Sequence, residues 1–166
     1  MNKLHATILA GALCATAGWA SAQTTLIYGE AGPNRGVRAE GTQWFVDQVG
    51  KLSNGDLKID VNWGGALFSD KAAVQSLRDG VADLGSVIGV YFPADMIAYG
   101  LADLPIPNTD PWVGMKAVDR IMRTDEKARE NLAKQNLVYV GTYTTSAVQV
   151  GCKGKSIKTL DHLKGL

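Results

Sequence analysis

The chain has 166 residues, 46% of them hydrophobic and 20% charged, with 17 Lys and Arg against 16 Asp and Glu. Balanced charge excludes the clustered basic surface that holds nucleic acid or an anionic membrane. Residues 1–22 read as an export signal: Lys3 supplies the positive start, Ala6 to Trp19 the apolar run, and Ala20-Ser21-Ala22 the small-x-small cleavage site. That run is too short and too rich in Ala and Gly to span a bilayer, which takes about 20 apolar residues. Leu13 directly before Cys14 argues against lipid attachment there. Cleavage after Ala22 leaves 144 residues with 16 basic and 16 acidic side chains, and Cys152 as the one cysteine. No internal disulfide can then form, so a packed core must supply the stability.

Thr24 to Gly29, with two threonines, an isoleucine and a tyrosine, predicts a first strand. The loop Glu30-Ala-Gly-Pro-Asn-Arg-Gly36 follows, and its glycine spacing does not fit a dinucleotide fingerprint. Val37, Gly41, Trp44, Phe45, Val49 and Leu52 recur at helical spacing, interrupted at Gln48, and Asn54-Gly55 ends that helix. Leu57, Ile59, Val61 and Trp63 alternate with Lys58, Asp60 and Asn62, the period of a strand with one buried face. Ser69 is placed to cap a helix presenting Ala73, Val74 and Leu77, which Gly80 closes; Ala82 to Ile88 predicts a third strand. Asp110-Pro111 opens a helix with Met115, Val118, Ile121 and Met122 on one side. A charged helix runs from Thr124 to about Gln135, and Leu137–Tyr143 and Ala147–Cys152 are β-rich. Near the end, Thr159 is placed as an N-cap, with Asp161 in the first turn and Gly165 as a stop.

Alternating strands and helices predict an α/β fold, a parallel-rich sheet flanked by helices, with ligands beyond the carboxyl ends of the strands. Catalytic apparatus is sparse. After signal removal, His162 is the sole histidine, and no His/Cys metal-ligand spacing, nucleophile elbow or phosphate loop is present. No cofactor is expected. Glu30 with Asp70 or Asp83 is the carboxylate pair that an enzyme would use, although Asp70 and Asp83 each suit a structural task at a helix start and a strand entry. Glu30, Asn34 and Arg35 lie where a strand-to-helix loop aims backbone N–H groups at an anion. The plainer alternative is that Asn34 caps the helix while Glu30 and Arg35 are solvated. Trp63 and Tyr91 suit either packing or stacking on a ligand. Trp44 and Trp112 are assigned to packing, His162 to solvent, and Cys152 to a buried apolar site.

The pattern resembles the solute-binding proteins of tripartite ATP-independent periplasmic (TRAP) transporters across the whole chain after the signal. Its anchors are Trp44-Phe45, Leu57-Lys-Ile-Asp-Val61 with Gly65-Ala-Leu67, Gln75-Ser-Leu-Arg-Asp-Gly-Val-Ala-Asp83, Leu101-Ala-Asp-Leu-Pro105, and Ile157-Lys-Thr-Leu-Asp-His-Leu-Lys-Gly-Leu166. The resemblance implies a two-lobed fold like the type II periplasmic binding proteins. Residues 23–143 would form lobe I, and residues 144–166 the crossover strand and the start of a second lobe that is truncated at residue 166. It implies a periplasmic receptor, not an enzyme, that captures a small organic acid and delivers it to membrane permease subunits. A receptor of an ATP-driven importer, which can share this fold, and a secreted carboxylate enzyme remain as alternatives. By matched position, the family's ligand contacts fall at Glu30 and Ala31 and at Val87, Ile88 and Tyr91. Tyr143, where the chain passes between lobes, joins Asn34, Arg35 and Trp63 as a further candidate. Sugar-acid-binding members carry charge where Ile88 and Tyr91 stand, which points to an apolar or aromatic acid. The position of the family's carboxylate-binding arginine is Gln149, a departure for which Arg35 is the conjectured substitute.

Overall fold

The computed structural model describes residues 22–103, 110–143, 153–154 and 157–164. The export segment, the run from Ala147 to Cys152 and the expected stop at Gly165 lie outside them. The chain divides into two compact units, with the division between Tyr91 and Phe92.

The first unit is built on β1 (Thr24–Gly29), α1 (Gly36–Leu52), β2 (Leu57–Asn62), α2 (Ala73–Arg78) and β3 (Leu84–Gly85). The strands form one parallel sheet in the order β2-β1-β3, with Leu26 opposite Ile59 and Tyr28 opposite both Val61 and Leu84. Asn54 and Gly55 take positive φ, which stops α1 and lets the Gly55 N–H reach Gly50 O at 2.9 Å. Phe68 is buried against the sheet where β1 and β3 carry only hydrogens: a Cβ on Gly29 would overlap the edge of its ring, and one on Gly85 would lie 2.9 Å from it.

Several expectations are corrected. The third strand is two residues long instead of seven. The Asp83 side chain replaces a ladder partner by accepting the Ile27 N–H at 2.7 Å, while Asp83 N–H donates to Ile27 O at 2.9 Å. At the other end β1 runs out, because the Glu30 N–H turns to Asn62 O on the β2 side. Ser69 makes no capping bond; it precedes a 3₁₀ turn, Asp70–Ala72, that leads into α2. The apolar stripe on α1 is covered only in part: Val37, Trp44 and Leu52 are 83%, 65% and 81% exposed, Phe45 and Val49 are half-buried, and the small residues Ala39 and Thr42 are the buried ones. A helix can approach a narrow sheet closely only through small side chains.

The second unit holds α3 (Ile97–Gly100), α4 (Pro111–Thr124) and α5 (Glu126–Ala133), with Met96, Met122, Ala128 and Leu132 buried. Asp110 caps α4 by accepting the Trp112 and Val113 N–H groups, and Asp125 caps α5 by accepting that of Ala128 at 2.8 Å. Trp112 is exposed beneath Lys116, whose Nζ lies 4.9 Å from the ring centroid, so its assignment to packing is corrected. Leu137–Tyr143 is not a strand, because no described backbone pairs with it in a ladder. Side chains hold it instead: Arg123 donates to Val140 O at 2.9 Å, and Tyr139 donates to Asp119 at 2.9 Å. The terminal helix is a single 3₁₀ turn, Leu160–Leu163, which Thr159 precedes without a side-chain cap, and His162 is exposed.

Gly29→Ala should lower stability by about 1–3 kcal/mol, because the new methyl group overlaps an aromatic ring held in place by its own burial. Thermal unfolding followed by circular dichroism measures this; an unchanged midpoint would show that Phe68 is free to move aside.

Candidate functional site

The carboxyl ends of β1, β2 and β3 all open on one edge of the parallel sheet, where the chain leaves in three loops. After β1, the Glu30 N–H donates to Asn62 O at 2.9 Å; Gly64 and Gly65 N–H groups return to Gly32 O at 2.8 Å and Glu30 O at 3.1 Å. The first two loops are therefore tied together by backbone.

The Glu30 side chain has 0% exposure. Its Oε1 accepts the Gly32 N–H at 2.7 Å and faces Arg38 Nη2 at 3.3 Å, and its Oε2 accepts Ser86 Oγ–H at 2.5 Å. The Tyr28 hydroxyl lies 2.9 Å from the same Ser86 oxygen. Arg38 crosses directly above Gly32, where a Cβ would occupy the position of its guanidinium. A larger residue at position 32 would displace the guanidinium from that ion pair. Glu30 is thus neither solvated nor turned outward, which corrects the alternative that left it in water. Asp83 is likewise committed to backbone. Asp70, the other carboxylate of the predicted pair, has a buried Oδ1 with no hydrogen-bond partner among the described residues.

The other sequence-predicted residues are distributed as follows. Asn34 and Arg35 are exposed in the loop after β1, and Ala31 is half-buried there. Arg35, not Asn34, is the N-cap residue of α1, and no side chain caps that helix. Among the described residues, the Arg35 guanidinium has no hydrogen-bond or ion-pair partner. Trp63 is half-buried at the end of β2. Val87 and Ile88 are half-buried after β3, and Tyr91, in the 3₁₀ turn Gly89–Tyr91, is 45% exposed. The sheet brings the Glu30–Arg35 and Ser86–Tyr91 loops together, since β1 and β3 are neighbours. Tyr143 is exposed in the second unit, and Gln149 lies outside the described residues. Tyr28, Gly32, Arg38 and Ser86 escaped sequence reasoning; the available signal was a glutamate eight residues before an arginine in the first turn of a helix, a poor position for a cation unless an anion lies close.

In the second unit, an open cleft of about 460 Å³ is lined by residues that include Met122, Arg129 and Leu132, but by none of the sequence-predicted candidates. Beside it, the hydrogen bond from Tyr139, ahead of those from Arg123, holds the Asp119 carboxyl below its ordinary 3.8. Burial, then the bond to Asp119, pushes the Tyr139 hydroxyl above its ordinary 10.0. Burial likewise raises Tyr99, against the lowering effect of its hydrogen bond with Thr142. Among the described residues no group of three or more His, Cys, Asp and Glu is arranged to hold a metal, and no helix is long and apolar enough to cross a membrane.

A parallel α/β unit whose loops gather at the carboxyl ends of its strands is the architecture of a ligand-binding lobe. Residues 28–166 match the family described as bacterial extracellular solute-binding protein, family 7, and the chain belongs to that family. It is 30% identical over 125 residues to the C4-dicarboxylate-binding protein DctB of Bacillus subtilis strain 168, covering 73% of this chain and 34% of that protein. A TRAP periplasmic solute-binding protein from Desulfovibrio salexigens, with the C-terminus of a symmetry mate in its ligand-binding site, aligns with a TM-score of 0.59 at 21% identity, over 66% of this chain and 34% of that one. A marine metagenome TRAP solute-binding protein specific for aromatic acid ligands, in complex with metahydroxyphenylacetate, aligns with a TM-score of 0.59 at 20% identity, over 67% and 35%. The fold is therefore that of the TRAP solute-binding proteins, the type II-like binding architecture. The chain spans about a third of the length of these relatives.

Two of the three perturbed groups among the described residues of the second unit, Asp119 and Tyr139, bracket a pH window. Asp119, depressed when folded, stabilises above its ordinary 3.8, and that contribution disappears as pH falls through the folded value. Tyr139, raised when folded, stabilises below 10.0, and its contribution disappears as pH rises through the folded value. Tyr139→Phe should weaken the alkaline limb, leaving the part due to Tyr99, and move the Asp119 titration upward, read from carbon-13 shifts of its carboxyl; an unmoved Asp119 would mean that the arginine alone sets it.

Proposed function

We propose that this protein is the solute receptor of a TRAP-type secondary transporter. It is exported to the periplasm, binds a small organic acid with an apolar or aromatic body, and delivers it to the membrane permease subunits. It performs no catalysis and uses no cofactor. The carrying observation is Arg35: an exposed cation without a partner among the described residues, at the N-terminus of a helix that no side chain caps, on the loop adjacent to Val87, Ile88 and Tyr91. A carboxylate placed there meets one full positive charge and the unsatisfied N–H groups of the first turn of α1. The apolar segment after β3 suits the body of such an acid. Ala31, Asn34 and Trp63 complete this face. The acids bound by relatives, C4-dicarboxylates in one and aromatic acids in another, are of this class.

Isothermal titration calorimetry of the full-length protein against aliphatic acids, aromatic acids and neutral sugars tests the reading. Arg35→Gln should weaken acid binding at least about tenfold, in line with about 1.5–3 kcal/mol for a hydrogen bond to a charged group. Tyr91→Ala should weaken aromatic acids more than aliphatic ones, by about 0.5–1.5 kcal/mol of ring pairing. Tight binding of neutral sugars with indifference to acids would overturn the ligand class.

A further inference from the structure

The backbone bonds of residues 30–35 run to Asn62, Gly64 and Gly65 and, within the loop, from Arg35 to Pro33. They fasten the loop after β1 to the β2 side of the sheet. On the β3 side, one backbone bond, from the Ser86 N–H to Gly29 O at 3.2 Å, closes the end of β1, and beyond it the loop itself is connected by one carboxylate. Glu30 Oε1 takes the Gly32 N–H and faces Arg38, while Oε2 takes the hydroxyl of Ser86, the first residue beyond β3. Tyr28 Oη, 2.9 Å from Ser86 Oγ, supports that hydroxyl from within the sheet. The side chain is wholly buried, so water cannot substitute for a lost partner. A buried polar network of this kind is stable only when complete, and its two ends lie in two different loops.

We infer that Glu30 is the positioning residue that locks the loop after β1 to the segment after β3, so that the two ligand-facing loops keep one fixed separation. The term "ligand-facing" rests on the receptor reading above; the lock itself does not. Glu30 sets where Asn34 and Arg35 stand relative to Val87–Tyr91, and touches no ligand through its carboxylate. Arg38 fixes the orientation of that carboxylate, and Gly32 leaves the room for Arg38.

Amide hydrogen exchange on the full-length protein tests the lock without any ligand. Ser86→Ala is the mild variant: it deletes one hydroxyl after β3 and changes nothing in the loop after β1. Exchange at the Gly32 amide should nevertheless quicken about fivefold, the effect of losing one net hydrogen bond that helps hold the acceptor in place. Changes confined to the neighbours of residue 86, with Gly32 unaltered, would overturn the proposal. Glu30→Gln should quicken exchange in both loops; if that variant does not fold, Ser86→Ala decides alone. Calorimetry with phenylacetate and succinate forms the second arm. A variant with a loosened Gly32 and undiminished affinity for the acid that the wild type binds would overturn the role in ligand positioning. A wild-type protein that binds no acid removes the receptor reading and leaves the exchange result standing.

Discussion

A carboxylate withdrawn completely from water costs several kcal/mol unless the protein surrounds it with donors. Glu30 is withdrawn to that degree, and the local chain is arranged around meeting its needs. A backbone N–H turns inward at Gly32, a hydroxyl arrives from Ser86, and a guanidinium reaches back from the first turn of α1. Each donor constrains something else. Gly32 leaves the space that the Arg38 guanidinium fills, Arg38 must tolerate the positive end of its own helix, and Ser86 must stand where β3 ends. The sheet, the helix start and the loops thus meet at one charge.

A second constraint works alongside it in apolar form. Phe68 is seated over Gly29 and Gly85, the final residues of two adjacent strands. An aromatic ring on two glycines brings the connection after β2 close to the carboxyl edge of the sheet. The glycines that end the strands therefore serve close approach and not only flexibility. Polar and apolar contacts together hold the edge from which the candidate site is built.

Much of the first unit was legible in the sequence. β1 matched its β-rich run, β2 kept the alternation begun at Leu57 apart from its last residue, and Asn54-Gly55 stopped α1 by the left-handed geometry those residues favour. Asp110-Pro111 opened α4 as its chemistry requires. What failed were features fixed by neighbours. The length of β3 depended on what β1 and Asp83 left to pair with. The run from Leu137 has strand composition but no ladder among the described residues, and composition cannot supply a partner. Periodicity on α1 marked a stripe of which Phe45 and Val49 are half-buried, while Val37, Trp44 and Leu52 are exposed and the small residues Ala39 and Thr42 are buried most deeply. At the site, the loop and its exposed Arg35 were readable from turn residues and position. The inward turn of Glu30 was not, since its partners at 38 and 86 converge only in three dimensions.

Asp83 has a consequence for association between chains. By bonding the Ile27 N–H, its carboxylate occupies the flank of β1 that the brief β3 leaves uncovered. An incoming strand seeking that row of backbone groups would have to expel an ion already bound there and leave it unpaired in the new interface. The side chain that shortens the sheet thereby also guards its border, a single negative charge discouraging templated growth where the ladder stops early.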